Sequence, residues 1–439
     1  MFEHNEYQGG ENFNLHQIFL RGRNLPLTAK TGLMQSFLDN LYDQHLFLSM
    51  RRVVSPAGRE VVVLDPFTGE RKTMLMFGSN NYLGLSNHPY VREKVRKAID
   101  AFGVGIGGPP LLNGYTLLHR ELEERLASFK HAEDCLIYSS GYGANVGLIT
   151  ALVGPGDMIF YDAYSHASFC DGLKMSNHHG IRFPHNDSRA LCELLAQHQG
   201  TGDRYIAVEG VYSMDGDLAP LDDLVRIKTT NGDYLILDDA HGTGVMGPTG
   251  RGTAEYFGME GNVDITMGTF SKAFGVTGGF VAASKPIVNF LRYFSRSYMF
   301  SASLPPIVVA AVLGGLDVLE RETDILKRLH TNISYAKDRF RSIGIELTSP
   351  SPILPLHIPE GMDIRRAARM FHDRGIFINS VEYPAVPLSQ QRFRISLMAE
   401  HTESDIDRLV DAVADVWKYI DAGKLHELTE VHSSSMVTY

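Results

Sequence analysis

Between residues 76 and 304 short apolar runs alternate with longer stretches of helical periodicity, and this alternation constrains the chain more than any other feature. The runs at 135–138, 158–161, 205–209, 235–238, 265–268 and 279–283 are too short for helices and read as buried strands. Strands separated by helices pair in parallel, and parallel strands are covered on both faces. The expected fold class is therefore α/β, a mostly parallel large-domain sheet with helices on both faces. After Pro305-Pro306 a long helix is expected to about Arg321. The remainder, with short strands at 353–357 and 392–397, reads as a smaller α+β domain. Upstream, residues 1 to about 30 are polar and aperiodic and read as an irregular arm. Leu33, Phe37, Leu41, Leu46 and Leu48 then fit a helix from Thr31 to about Val54, closed by Arg51 and Arg52. The expected division is an N-terminal arm and helix over 1–75, a large domain over 76–305, a small domain over 306–425 and a flexible tail over 426–439.

The 439 residues, 44% of them hydrophobic, suffice for a large core and more than one domain. A net charge of -10 gives no global basic field for nucleic acid. Cys135, Cys170 and Cys192 lack metal-type spacing and read as buried thiols in a reducing compartment. Met1-Phe2-Glu3-His4 does not lead from a basic segment into an apolar run, as a secretory signal would. The longest apolar stretch, 306–319, is short for a membrane span and carries Asp317. A soluble cytoplasmic protein is expected. The stripe of the N-terminal helix suits packing on its own protein, a membrane surface or a partner subunit.

Ligands of open α/β sheets sit at the C-terminal ends of the strands, and polar residues cluster there. The run 265–268 passes into Thr269, Ser271 and Lys272, followed by Gly275, Gly278 and Gly279. Burial lowers an ammonium pKa, and a neutral amine attacks an aldehyde. The run 235–238 ends in Asp238-Asp239-Ala240-His241. A Schiff-base lysine with an acid able to hold a pyridinium nitrogen is the protein's half of pyridoxal phosphate chemistry. The bland alternative for the acids is helix capping. Ser140-Gly141-Tyr142-Gly143 opens a helix whose amides suit a phosphate, or forms a plain turn. His166 follows another strand and can stack on a cofactor ring, bond a carboxylate or be structural. Arg394 alternates with apolar residues on a strand, and its guanidinium fork matches a substrate carboxylate.

Together these motifs resemble the α-oxoamine synthases, fold-type I pyridoxal phosphate enzymes, from about Met76 to Asp407. The most specific pieces are Leu112-Asn113-Gly114-Tyr115-Thr116, Asp238-Asp239-Ala240-His241-Gly242, Gly268-Thr269-Phe270-Ser271-Lys272 and Phe300-Ser301-Ala302-Ser303. Stretches such as 76–84 and 394–399 lean toward bacterial serine palmitoyltransferases. The resemblance implies Lys272 as the Schiff-base lysine, Asp238 at the pyridine nitrogen and His166 stacked on the ring. It places Ser213 and His241 by the phenolic oxygen, and Ser140, Gly141, Tyr142, Thr269 and Ser271 about the phosphate. Ser301 and Ser303 would arrive from the neighbouring subunit of a homodimer with shared active sites. Arg394, Asn81 and His166 would bind the substrate. The implied reaction condenses a small L-amino acid, serine favoured, with an acyl thioester, long-chain acyl-CoA favoured, as in the first step of sphingolipid synthesis. Alanine or glycine, and an acyl carrier protein, are the alternatives, and peripheral membrane contact would suit a long-chain product. The chain departs from the family at Gly108-Pro109-Pro110, where a hydroxyl and a guanidinium are usual, and at Val381-Glu382-Tyr383-Pro384, where some relatives place an arginine.

Overall fold

A computed structural model describes residues 15–421 except 179, 199 and 360–361. Residues 1–14 of the expected arm and the expected tail over 426–439 lie outside the described residues. The strands are β1 Arg52–Val53, β2 Glu60–Leu64, β3 Arg71–Met76, β4 Asp134–Tyr138, β5 Met158–Asp162, β6 Ile181–Phe183 and β7 Arg204–Glu209. They continue with β8 Tyr234–Asp238, β9 Ile265–Thr269, β10 Gly279–Ala283, β11 Ile353–His357, β12 Ile376–Phe377, β13 Asn379–Val381 and β14 Arg392–Ser396.

Seven strands form the large sheet in the order β4-β10-β9-β8-β7-β5-β6. β5 to β9 pair in parallel, and β10 runs antiparallel to both β4 and β9. Helices pack on both faces, as the α/β reading requires, and separate apolar clusters fill the two sides. The helix Pro306–Arg321 begins and ends where Pro305-Pro306 and Arg321 indicated. β6 was not foreseen from the sequence. It has three residues at the sheet edge, paired only with β5, and so short an edge strand carries little pattern.

The small C-terminal sheet has the order β11-β14-β13. A further sheet, β1-β2-β3-β12, joins the N-terminal hairpin to a strand from far along the chain. Among the described residues no helix is long and apolar enough to cross a membrane.

The N-terminal region corrects the sequence reading twice. The supposed irregular arm contains a helix, α1 Leu15–Gly22, and the next helix, α2, spans Leu27–Asp43 rather than running to Val54. α1 is too short to be stable alone. It is held by Ile18 packing in a cluster with Phe37, Leu41 and Phe47. α2 ends because His45 takes a left-handed φ of 55° and the Leu46 amide turns back to the Leu41 carbonyl at 2.8 Å. Leu46 and Leu48 therefore fold back after the helix instead of extending its stripe. The cysteines also differ from expectation: Cys135 is buried, but Cys170 is partly exposed and Cys192 faces solvent from the helix Ser188–Gln197.

Candidate active site

The ends of β7 and β8 bring two acids into register, with Thr269 close by on β9. Glu209 pairs with Asp238, and Asp238 with Met267, two residues before Thr269. Asp238 is buried; its Oδ2 accepts from Asn145 Nδ2 at 2.8 Å and its Oδ1 from the Ala240 amide at 3.1 Å. Burial raises its pKa, against the lowering pull of Lys272 and Asn145. Burial also lowers the Lys272 ammonium, which Asp238 and Glu209 oppose. The amine is thus drawn toward neutrality among acids drawn toward protonation.

His241 is buried, and its Nδ1 lies 2.8 Å from the Tyr82 hydroxyl. Burial, reinforced by Lys272, Arg394 and His166, holds its pKa well below the usual value and keeps the imidazole neutral. His166 caps the helix Ala167–Ser176 and is solvent-accessible, yet desolvation still lowers its pKa. Its Nδ1 sits 2.7 Å from Ser168 Oγ, which accepts from Asn145 Nδ2 at 3.0 Å. One carboxamide therefore links Asp238 to the ring of His166.

Gly141 opens the twelve-residue helix Gly141–Leu152, capped by Ser140 Oγ, which accepts from the Gly143 amide at 2.9 Å. The helix start presses on β9 and β10. A Cβ on Gly141 would stand 2.9 Å from Thr269 Cβ, and one on Gly279 only 2.7 Å from Gly141 Cα. Thr269 Oγ1 lies 2.9 Å from Ser271 Oγ and donates to the Gly278 carbonyl at 2.8 Å. Hydroxyls and helix amides so gathered make a corner that suits an anion. The Tyr142 hydroxyl donates outward to Asp171 at 2.6 Å.

Arg394 is buried with its guanidinium fanned over three segments. Nε donates to the Ser213 carbonyl at 2.6 Å, Nη1 to Asn80 Oδ1 at 2.8 Å and Ser396 Oγ at 3.0 Å, and Nη2 to the Tyr82 hydroxyl at 3.3 Å. Ser213 contributes its carbonyl here. Asn80, not Asn81, touches the arginine; Asn81 is buried, and its Oδ1 accepts from the Ser86 amide at 3.3 Å. Ser301 and Ser303 line a narrow recess with Pro110, Tyr115, His119 and Ser139. The Ser303 amide bonds the Gly108 carbonyl at 3.0 Å, and its buried hydroxyl lacks a partner among the described residues.

Sequence reasoning missed Asn145, Ser168, Tyr82 and Asn80, and it gave Glu209 no role in the site. Glu209 is buried beside Asp238, and burial pushes its pKa well above the carboxylate range. The readable signal for Asn145 was a carboxamide inside the otherwise apolar helix 141–152. Tyr82 and Asn80 gave none, because the arginine they share lies more than three hundred positions away.

A buried acid beside a desolvated lysine, with an anion corner on the same sheet edge, fits pyridoxal phosphate; the fold and site define a fold-type I transferase dependent on that cofactor. The family model for aminotransferase class I and II matches residues 72–413. An 8-amino-7-oxononanoate synthase of Geobacter sulfurreducens is 41% identical over 384 residues, 87% of this chain and 97% of its own length. A serine palmitoyltransferase of Bacteriovorax stolpii is 36% identical over 412 residues, 92% of this chain and 97% of its own. The solved structure of serine palmitoyltransferase from S. paucimobilis, with a bound PLP-myriocin aldimine, superposes with a TM-score of 0.83 at 31% identity, covering 91% of this chain and 100% of that one. The chain belongs to the class I and II aminotransferase family and, within it, to the α-oxoamine synthases.

Proposed function

We propose that the protein condenses L-serine with a long-chain acyl thioester, releasing CO2 and the free thiol to give an α-amino ketone. The observation that carries serine is the extent of structural likeness. A serine palmitoyltransferase matches over 91% of the chain at a TM-score of 0.83, against 79% and 0.67 for an 8-amino-7-oxononanoate synthase of Francisella tularensis. A second reading, alanine as the amino acid, is favoured by the 41% identity to the Geobacter enzyme.

When bound, pyridoxal phosphate supplies an aldehyde for the amino group and a ring that draws electrons from the α-carbon. Lys272 is the attachment point and, as a neutral amine, removes the α-proton. Asp238 holds the proton at the ring nitrogen, and Asn145 fixes its carboxylate. His166 would hold the ring, and the neutral His241, oriented by Tyr82, would with Ser213 hold the phenolic oxygen. The corner of Ser140, Gly141, Tyr142, Thr269 and Ser271 takes the phosphate. Arg394, with His166, would grip the substrate carboxylate and so orient the bonds at the α-carbon. Ser301 and Ser303 reach the phosphate of a second protomer in a homodimer with shared sites.

Absorbance titration of the cofactor-loaded protein with L-serine, L-alanine and glycine tests the reading. A saturable band shift with serine alone is expected, followed by turnover that rises with acyl-CoA length. A shift with alanine or glycine alone overturns the choice of serine and moves the protein to another branch of the family.

A further inference from the structure

The loop between β13 and β14 is held at both ends, and its two anchors belong to different parts of the molecule. At the inner end, buried Arg392 donates from Nε to the Gln390 carbonyl at 3.0 Å and from Nη1 to the Met214 carbonyl at 3.3 Å, and it pairs with Asp215. Two residues on, Arg394 reaches the Ser213 carbonyl. The inner anchor is therefore the wall of the site itself. Asn379 of β13 lies opposite Arg394 in register, so the loop departs from the arginine's own neighbouring strand.

The outer end is fastened to the N-terminal helical hairpin. Glu382 Oε2 pairs with Arg365 Nη2 at 2.7 Å, with both side chains only 18% exposed. The Arg365 guanidinium in turn lies 4.8 Å from the ring centroid of Phe37 in α2. Tyr383, the next residue, meets the His16 ring edge-on at 4.7 Å and the Phe19 ring at 6.1 Å, both from α1. Glu382 stands where some relatives carry an arginine, and its charge is taken up by this internal pair instead of facing a substrate. A salt bridge continued by a cation–π contact, and beside them two ring contacts, thus join the hairpin to the loop.

We propose that the α1–α2 hairpin clamps the 382–391 loop through Glu382 and Tyr383, and so sets how tightly the wall beside Arg394 closes on the amino acid. This rests on the reading of Arg394 as the residue that holds the substrate carboxylate. Tyr383 and Glu382 are positioning residues: they act through the loop and touch neither cofactor nor reacting atoms.

The test compares Tyr383→Ala, Tyr383→Phe and Glu382→Gln with the parent in the full, cofactor-loaded chain. Hydrogen exchange is followed at 382–391, with β11 as an internal control, and amino acid affinity is read from the absorbance shift with L-serine, L-alanine or glycine, whichever the parent binds. Tyr383→Ala should exchange about tenfold faster in the loop and bind the amino acid about tenfold more weakly, with β11 and the cofactor band unchanged. Tyr383→Phe keeps the ring and should behave as the parent. Should Tyr383→Ala loosen β11 as well, Glu382→Gln decides, and the same selective loosening is expected of it. Unchanged loop exchange overturns the clamp, as does faster exchange without weaker binding. If the parent binds none of the three amino acids, the reading of Arg394 fails, while the exchange data still decide whether the hairpin holds the loop.

Discussion

Asn145 spends both carboxamide hydrogens on the site, one on Asp238 and one on Ser168 beside His166. Hydrogen bonds to charged groups contribute about 1.5–3 kcal/mol. Asn145→Ala should therefore weaken cofactor retention by roughly ten- to a hundredfold, measured as loss of the visible band on dilution. Lys272→Ala should abolish turnover, and normal rates in that variant would end the present account of the site. His185 supplies a pH prediction away from the reacting atoms. Burial works to lower its pKa, but Asp162 at 2.9 Å and Asp217 at 2.8 Å prevail and raise it to about 9. A raised pKa means that the native state binds the proton more tightly than the unfolded chain. The stabilisation is full below the ordinary histidine pKa and is lost as pH rises through about 9. Melting temperature should fall over that window, and His185→Gln should flatten the fall; an unaltered slope would remove His185 as its cause.

At the scale of elements, the meeting of the helix 141–152 with β9 and β10 leaves no room for a side chain at its first residue. Gly141→Ala should push the helix start away from Thr269 and weaken cofactor binding more than it lowers stability. Ser140→Ala, which removes only the cap, should cost about 1 kcal/mol in denaturant unfolding. Equal losses of binding and stability in Gly141→Ala would argue against an anion corner. The strands of this region were legible in the sequence because buried parallel strands are continuous apolar runs with polar ends, and Lys272 and Asp238 stand at such ends. What stayed hidden follows from the same physics. Tyr82 and Asn80 acquire their meaning from Arg394, more than three hundred positions away, and α1 owes its helix to packing with Phe37 and Leu41. Local pattern reports propensity and burial, whereas pairings across the chain leave no periodic trace.

For the whole molecule, Leu112 and Leu117 are more than 80% exposed and Phe300 is 72% exposed, close in sequence to the recess that holds Ser301 and Ser303. Exposed apolar patches mark interaction surfaces, and the proposed homodimer would cover these side chains. Sedimentation should give twice the mass of one chain, and Phe300→Asp should shift the equilibrium toward single chains with parallel loss of activity. Active single chains would overturn the shared-site dimer. The sheet of β1, β2, β3 and β12 has a consequence for how the protein is made. The Phe77 amide, just past β3, waits for the carbonyl of Phe377, three hundred positions later. On the ribosome one edge of β3 therefore stays open until β12 is made, after all seven strands of the large sheet. Nascent chains carry that unpaired edge until β12 emerges, and it is there that stalled or truncated products would first stick to one another.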